Sequence, residues 1–165
     1  MTLYIKQINS CLLQLAGWGT TLAMGVIACV IPYEVFARYI TGSMPVWSGE
    51  AATFSLVWAT MLGSPLALAR GYHVGITYMI DKLPRRYAAI LQCATLALVL
   101  LFLLLMLQYG LIQTIANLRQ FSPATGIPMA IPYMAVPIGF SLMVLVTVEQ
   151  ICALVWPAAH REERP

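Results

Sequence analysis

The sequence predicts an all-α integral membrane protein: four transmembrane helices, two of them long and tilted, with a short interfacial amphipathic helix between the second and third. Three observations predict it. No charged residue falls between Gln7 and Tyr33, Ala51 and Ala69, Tyr87 and Leu118, or Gln120 and Val148. Hydrophobic residues are 61% of the chain and charged residues 9%, against roughly 45–50% and about 25% in soluble domains, and mean hydropathy is +0.82. Crossing about 30 Å of hydrocarbon takes about 20 helical residues, which each charge-free stretch reaches or nearly reaches with its flanks. Four crossings consume most of the 165 residues. The expectation is a single four-helix transmembrane domain over residues 1–165, with spans at about 12–38, 48–70, 85–119 and 131–156.

The first helix, about Leu12 to Arg38, is longer than the hydrocarbon is thick at 1.5 Å per residue, so it tilts or protrudes. Lys6 ahead of an apolar run, and Val26-Ile27-Ala28-Cys29, loosely resemble a lipoprotein signal. The run continues through Tyr33 into further membrane segment, so the first helix reads as uncleaved. Pro32 lies near its outer end, and Glu34 and Arg38 stand one turn apart as an intrahelical pair. Thr41-Gly42-Ser43-Met44-Pro45 reads as a loop. The second helix starts near Trp47 or Ser48, with Ser48 as N-cap and Glu50 in the first turn, and ends around Arg70-Gly71.

Between Gly71 and Pro84, Ile76, Met79, Ile80 and Leu83 recur at i, i+3, i+4 and i+7 while Thr77, Asp81 and Lys82 point elsewhere. That spacing predicts an interfacial helix over about 74–83. Pro84 opens the third helix, which can continue to about Arg119. Phe121 to Pro128 form a loop, and the fourth helix follows from about Ile131 to Trp156, with Pro132 in its first turn and Pro137 inside.

With the N-terminus inside, the cytoplasmic parts carry Lys6, Arg70, Lys82, Arg85, Arg86, Arg161 and Arg164, and the outer loops only Arg38 and Arg119. Seven cations against two put both termini in the cytoplasm. Trp18, Tyr33, Trp47, Tyr72, Tyr133 and Trp156 lie near segment ends or outer thirds, where interfacial anchors belong.

Glu149 is the ionisable side chain well inside a predicted span, and hydrocarbon penalises an unpaired carboxylate by several kcal/mol. Lying about two turns from the cytoplasmic surface, it reads as a structural tie to Lys6 or Arg70 rather than as a proton or ion site. Trp47 and Glu50 have two readings. One is a membrane anchor beside a carboxylate that complements the helix dipole; the other is a contact with another subunit. Arg70 and His73 flank the Gly71 break on the inner side, and Arg85-Arg86, with Lys82, reads as a phospholipid and topology signal.

Other chemistry finds little foothold. The four cysteines, Cys11, Cys29, Cys93 and Cys152, lie in or at the ends of apolar segments without CxxC spacing and read as small core residues. His73 and His160 are outside the spans, which disfavours haem. No phosphate-cradling loop, nucleophile elbow or zinc pattern is present. No cofactor, metal, catalytic residue or nucleic-acid partner is expected.

Arg38-Tyr39, Pro45-Val46-Trp47-Ser48-Gly49-Glu50-Ala51, Gly63, Arg70-Gly71-Tyr72-His73-Val74, Leu83-Pro84, and Ser122 to Pro128 followed by Tyr133 and Pro137-Ile138-Gly139 form an ordered series. The series resembles the small, DctQ-like membrane subunit of tripartite ATP-independent periplasmic (TRAP) transporters, and it covers nearly the whole chain. Gly49 stands where a second acidic residue often precedes the equivalent of Glu50, so a role needing two adjacent carboxylates lacks its second group. The resemblance implies a scaffold in the bacterial inner membrane. It would pair with a large membrane subunit that holds the substrate and sodium sites and moves substrate by an elevator motion, while a periplasmic binding protein delivers an organic acid. On that reading Arg38, Trp47, Glu50, Arg70 and His73 are candidates for setting helix-break geometry or contacting the large subunit. A structural or assembly subunit of another membrane complex is an alternative, as is a stand-alone small multidrug exporter. Such exporters share an acidic residue central in the first helix, and Gly17 to Ile31 contains none.

Overall fold

The computed structural model describes residues 2–40, 42, 45–70 and 85–155, and of residues 2–6, 8, 85–87, 89, 154 and 155 only the backbone. Four helices occupy almost all of this: α1 (Thr2–Ile40), α2 (Val46–Ala69), α3 (Arg85–Ala116) and α4 (Ala130–Val155). Each contains a segment long and apolar enough to cross a membrane. The expected interfacial helix over 74–83, with Tyr72, His73 and Lys82, and the anchor Trp156 lie outside the described residues.

Helix boundaries depart from expectation in instructive places. α1 begins at Thr2, ten residues before Leu12, because Lys6, Gln7, Asn9 and Ser10 are polar without being helix breakers. At 39 residues it is about 58 Å long, nearly twice the hydrocarbon thickness. α2 begins at Val46 with Pro45 at the N-cap position and no side-chain cap, so Ser48 lies inside the helix and Glu50 beyond its first turn. Proline serves there because its missing N–H sits where a helix leaves donors unpaired anyway. α3 ends at Ala116, and residues 117–119 form a turn rather than a last helical turn.

Within the spans, hydroxyls are silenced by their own helix. Thr20, Thr21, Thr53, Thr60, Thr95, Thr114 and Thr147 each donate to the carbonyl four residues back, at 2.8–3.0 Å. Each hydroxyl is thereby satisfied within its own helix, which makes threonine acceptable both facing lipid and inside the bundle, where Thr114 and Thr147 are buried.

The helices are arrayed in the order α1, α2, α4, α3: α2 packs on both α1 and α4, α3 packs on α4, and a smaller contact joins α1 to α4. α4 is consequently the most enclosed, with Ala130, Pro132, Ala135, Pro137, Gly139, Leu142, Val146 and Thr147 buried. Lipid tails are as apolar as leucine, so association depends on close approach of small residues. A Cβ on Gly139 would stand 2.6 Å from the Met61 carbonyl oxygen. Gly19 meets Leu62 and Gly63 meets Thr20 across α1–α2, and Gly110 meets Val136 and Pro137 across α3–α4.

Large apolar side chains cover the outside, Trp18 (76% exposed), Leu22 (71%) and Leu98 (68%) among them. A patch of this kind is tolerated in hydrocarbon or under a partner and not in water. The four cysteines, expected in the core, are all exposed on these outer faces. Their size suits a core position, but lipid accepts a thiol equally well.

Because the Gly139 contact is with backbone, the neighbour cannot yield, and Gly139→Ala is expected to destabilise by about 1–3 kcal/mol. Gly25→Ala, with nothing within 4 Å, is expected to be neutral or slightly stabilising. Thermal unfolding of both variants in detergent checks the contrast.

Candidate functional site

The candidate residues fall at the two ends of the bundle. At the end where α1 runs into α2 and α3 into α4, Glu50 is the centre. It projects from the second turn of α2 into the α3–α4 loop, where four donors meet its carboxylate: the Ser122 hydroxyl, the Thr125 hydroxyl (3.0 Å) and the N–H groups of Ala124 (3.3 Å) and Thr125 (3.2 Å). Three of the donors converge on Oε2 and the Ala124 N–H meets Oε1; the Thr125 hydroxyl and N–H also lie 2.9 and 3.2 Å from the Ser122 oxygen, so the donors share the lone-pair sites of Oε2.

The loop is shaped to present them. Ser122 N–H donates to the Ile127 carbonyl (2.9 Å), Gly126 N–H to the Ser122 carbonyl (3.0 Å) and Met129 N–H to the Gln120 carbonyl (2.8 Å). Phe121 and Pro128 stand opposite each other as an isolated antiparallel bridge. Gly126 closes the turn at φ +68°, a region that favours glycine. The loop thus points two hydroxyls and two amides inward at one carboxylate, which acts as a clasp between α2 and the α3–α4 connection.

The same end continues into α1. The Ser48 hydroxyl, 1% exposed, lies 3.0 Å from Glu34 Oε2 and 2.7 Å from the Pro45 carbonyl oxygen, and its single hydrogen can serve one of them at a time. Arg38 stands 3.7 Å from the other Glu34 oxygen, the intrahelical pair that the spacing predicts. Trp47 packs on Tyr33 with ring centroids 5.8 Å apart. Arg38, Trp47 and Glu50 therefore belong to one cluster built from α1, α2 and the α3–α4 loop.

At the opposite end, Glu149 of α4 accepts a hydrogen bond from the Asn9 amide of α1. Of the expected tie to Lys6 or Arg70, Arg70 makes no ion pair among the described residues and the Lys6 side chain lies outside them; the partner found is Asn9. Gln150, next in α4, donates to the Leu68 carbonyl in the last turn of α2 (3.0 Å). Arg70 follows α2 as its C-cap, its N–H donating to the Leu66 carbonyl (3.2 Å) while its side chain is exposed. Asn9, Arg70, Glu149 and Gln150 line the polar part of a cavity of about 1000 Å³ between α1, α2 and α4. Arg85 and Arg86 open α3, with side chains outside the described residues, as are His73 and Lys82.

Sequence reasoning singled out Glu50 and Glu149 but missed the groups that hold them. Ser122 and Thr125 carried a signal, two hydroxyls three residues apart in a Pro-Gly loop; Asn9, a polar residue just ahead of the first apolar run, carried a weaker one. Among the described residues no group of three or more His, Cys, Asp or Glu could hold a metal ion.

Four apolar helices tied at both ends by polar groups make this a multi-pass membrane protein. Residues 27–155 match the family described as tripartite ATP-independent periplasmic transporters, DctQ component. The chain belongs to that family. It is 26% identical over 133 residues to a Haemophilus influenzae protein assigned as a TRAP transporter small permease, a match covering 81% of this chain and 83% of that one. It is 26% identical over 134 residues to the sialic acid TRAP transporter small permease protein SiaQ of Vibrio cholerae, covering 80% and 76%. With the isethionate TRAP transporter permease protein DctMQ of Oleidesulfovibrio alaskensis it shares 29% over 132 residues, 74% of this chain but 21% of that longer protein. The chain is a small TRAP transporter permease subunit.

Replacing Glu50 by glutamine leaves one accepting oxygen and turns an NH₂ group toward donors. Glu50→Gln is expected to free the loop, so that the Ala124 and Thr125 amides exchange with deuterium at least about tenfold faster while exchange in the centre of α4 is unchanged. Hydrogen exchange read by mass spectrometry on loop peptides checks this.

Proposed function

We propose that this chain is a scaffold that braces a large TRAP membrane subunit in the bacterial inner membrane for sodium-coupled uptake of an organic acid delivered by a periplasmic binding protein. The family match over residues 27–155 carries the reading. The relative named DctMQ supports the pairing, since a match covering 21% of its length suits a small-subunit segment within a longer permease. The architecture also suits a brace: α1 is about 58 Å long, and much of the apolar surface of α1 and α3 is unused by the chain's own packing. Substrate and sodium sites are assigned to the large subunit, catalysis is not part of the role, and the organic-acid class follows from the family resemblance.

The Glu50 end is assigned to the periplasmic face and both termini to the cytoplasm, supported by seven cations against two on the connecting segments and tails. Lys82, Arg85 and Arg86 would then meet inner-leaflet phospholipid headgroups. Arg38, Trp47 and Glu50 outside, with Arg70 and His73 inside, are proposed to fix the ends that the large subunit grips.

Two measurements test this. In a variant whose four native cysteines are replaced, Ala124→Cys is expected to react with a membrane-impermeant maleimide added to intact cells; reaction only after lysis would reverse the orientation. Combined alanine substitution at Trp47, Glu50, Arg70 and His73 is expected to lower co-purification of a co-expressed large subunit and to lower uptake. Unchanged co-purification and uptake would make these positions ordinary anchors.

A further inference from the structure

We propose that the cavity between α1, α2 and α4 seats one phospholipid whose headgroup carries a primary ammonium and a phosphate, as phosphatidylethanolamine does. The proposal concerns the opposite end of the bundle from the Glu50 clasp and does not depend on the orientation assigned above.

Asn9 is 4% exposed and lines the cavity. Its amide nitrogen is committed to Glu149, but its Oδ1 is buried without a donor among the described residues. A buried acceptor left empty is costly, and because that oxygen exposes almost no surface, a turn of the Asn9 amide toward the cavity it lines is what brings it a donor. That donor would sit beside the Glu149 carboxylate, and the group that satisfies an anion and a neutral oxygen together is a cation with several N–H bonds. A primary ammonium offers three.

The rest of the wall fits the rest of a headgroup. Arg70, capping α2, supplies a guanidinium to a cavity whose acid stands on α4, and no ion pair joins the two among the described residues. A guanidinium matches a phosphate through paired N–H donors. A zwitterion laid between Glu149 and Arg70 would neutralise both without bringing them together.

Depth follows the same order. The lining on α1 runs from Asn9 to Thr21, about 18 Å along the axis. Asn9, Ser10, Arg70, Glu149 and Gln150 are near the helix ends, whereas Leu13, Gly17, Leu66 and Val146 lie deeper. Thr20 and Thr21, though deep, spend their hydroxyls on Ala16 and Gly17 carbonyls. Trp18 lines the cavity while 76% exposed. A polar mouth grading into an apolar trough, about half the hydrocarbon thickness deep, suits a headgroup with the start of its acyl chains better than a soluble zwitterion.

The test uses the full chain, purified in a mild detergent, delipidated and titrated with single lipids of matched acyl chains while bound lipid is counted by native mass spectrometry. Phosphatidylethanolamine is expected to bind at least about tenfold more tightly than phosphatidylcholine, whose quaternary nitrogen has no N–H for Asn9, and than phosphatidylglycerol, which has no cation. Glu149→Gln and Arg70→Gln are each expected to weaken that binding about tenfold, with Arg119→Gln at the other end unchanged. Soluble glycerophosphoethanolamine at equal concentration is expected not to compete. Equal binding of the three lipids, binding of none (a water-filled cavity), wild-type affinity in both variants, or displacement by the soluble headgroup would each overturn the proposal. Should a variant fail to fold, the comparison of ethanolamine with choline lipid on the unaltered chain decides it.

Discussion

In hydrocarbon there is no water to accept a stray hydrogen bond, and most features of this chain follow from that one constraint. Each backbone N–H and C=O has to find its partner within the segment, which imposes continuous helices. The side chains obey the same rule: threonines donate back to their own helix throughout the spans. The internal prolines test it hardest, because each removes a donor and frees a carbonyl. Pro65 and Pro137 are both buried, and Pro137 lies against the backbone of Gly110 in α3. Those two irregularities are thus covered by neighbouring helix, whereas Pro32, near the end of α1, is exposed.

The same constraint divides the cohesion of the bundle by depth. In the middle, no hydrophobic gain favours helix–helix over helix–lipid contact, and glycines provide the close approach that dispersion requires. Toward the ends polar groups take over, where water is close enough to make them affordable. Glu50 ties α2 to the α3–α4 loop, Ser48 brings Glu34 of α1 to α2, and at the far end Asn9–Glu149 and Gln150–Leu68 tie α1 and α2 to α4. α3, which meets the others through α4, is held by the Gly110 contact and by the loop that Glu50 grips.

The existence and order of the helices were legible in the sequence, since exclusion of charge over a span's length has one physical cause. What was not legible has physical causes as well. A lipid-facing position and a core position ask for the same residues, so Cys11, Cys29, Cys93 and Cys152 could not be assigned to one or the other by polarity. α1 starts ten residues ahead of Leu12 because helix formation tolerates Lys6, Gln7, Asn9 and Ser10, and only bilayer burial forbids them. Ser48 looked like a cap because serine often is one, but Pro45 holds that position and the hydroxyl turns to Glu34. The partners of Glu50 and Glu149 are 72 or more and 140 residues away, a separation at which local pattern carries no information about who meets whom.

The short sequence pieces through which this chain resembles its family acquire a common meaning in three dimensions. Pro45 to Ala51 and Ser122 to Pro128 are far apart in sequence, yet they are the two sides of one contact: the carboxylate comes from the first and its four donors from the second. At such places the chain leaves a helix, its backbone needs partners from elsewhere, and few residue types can supply them. Midway through a span any small or apolar residue of suitable volume will serve. Recognisable motif is therefore expected to collect mainly where helices end, as Pro45 to Ala51 and Ser122 to Pro128 do, while Gly63 and Gly139 mark the points inside spans where close helix approach restricts the residue instead.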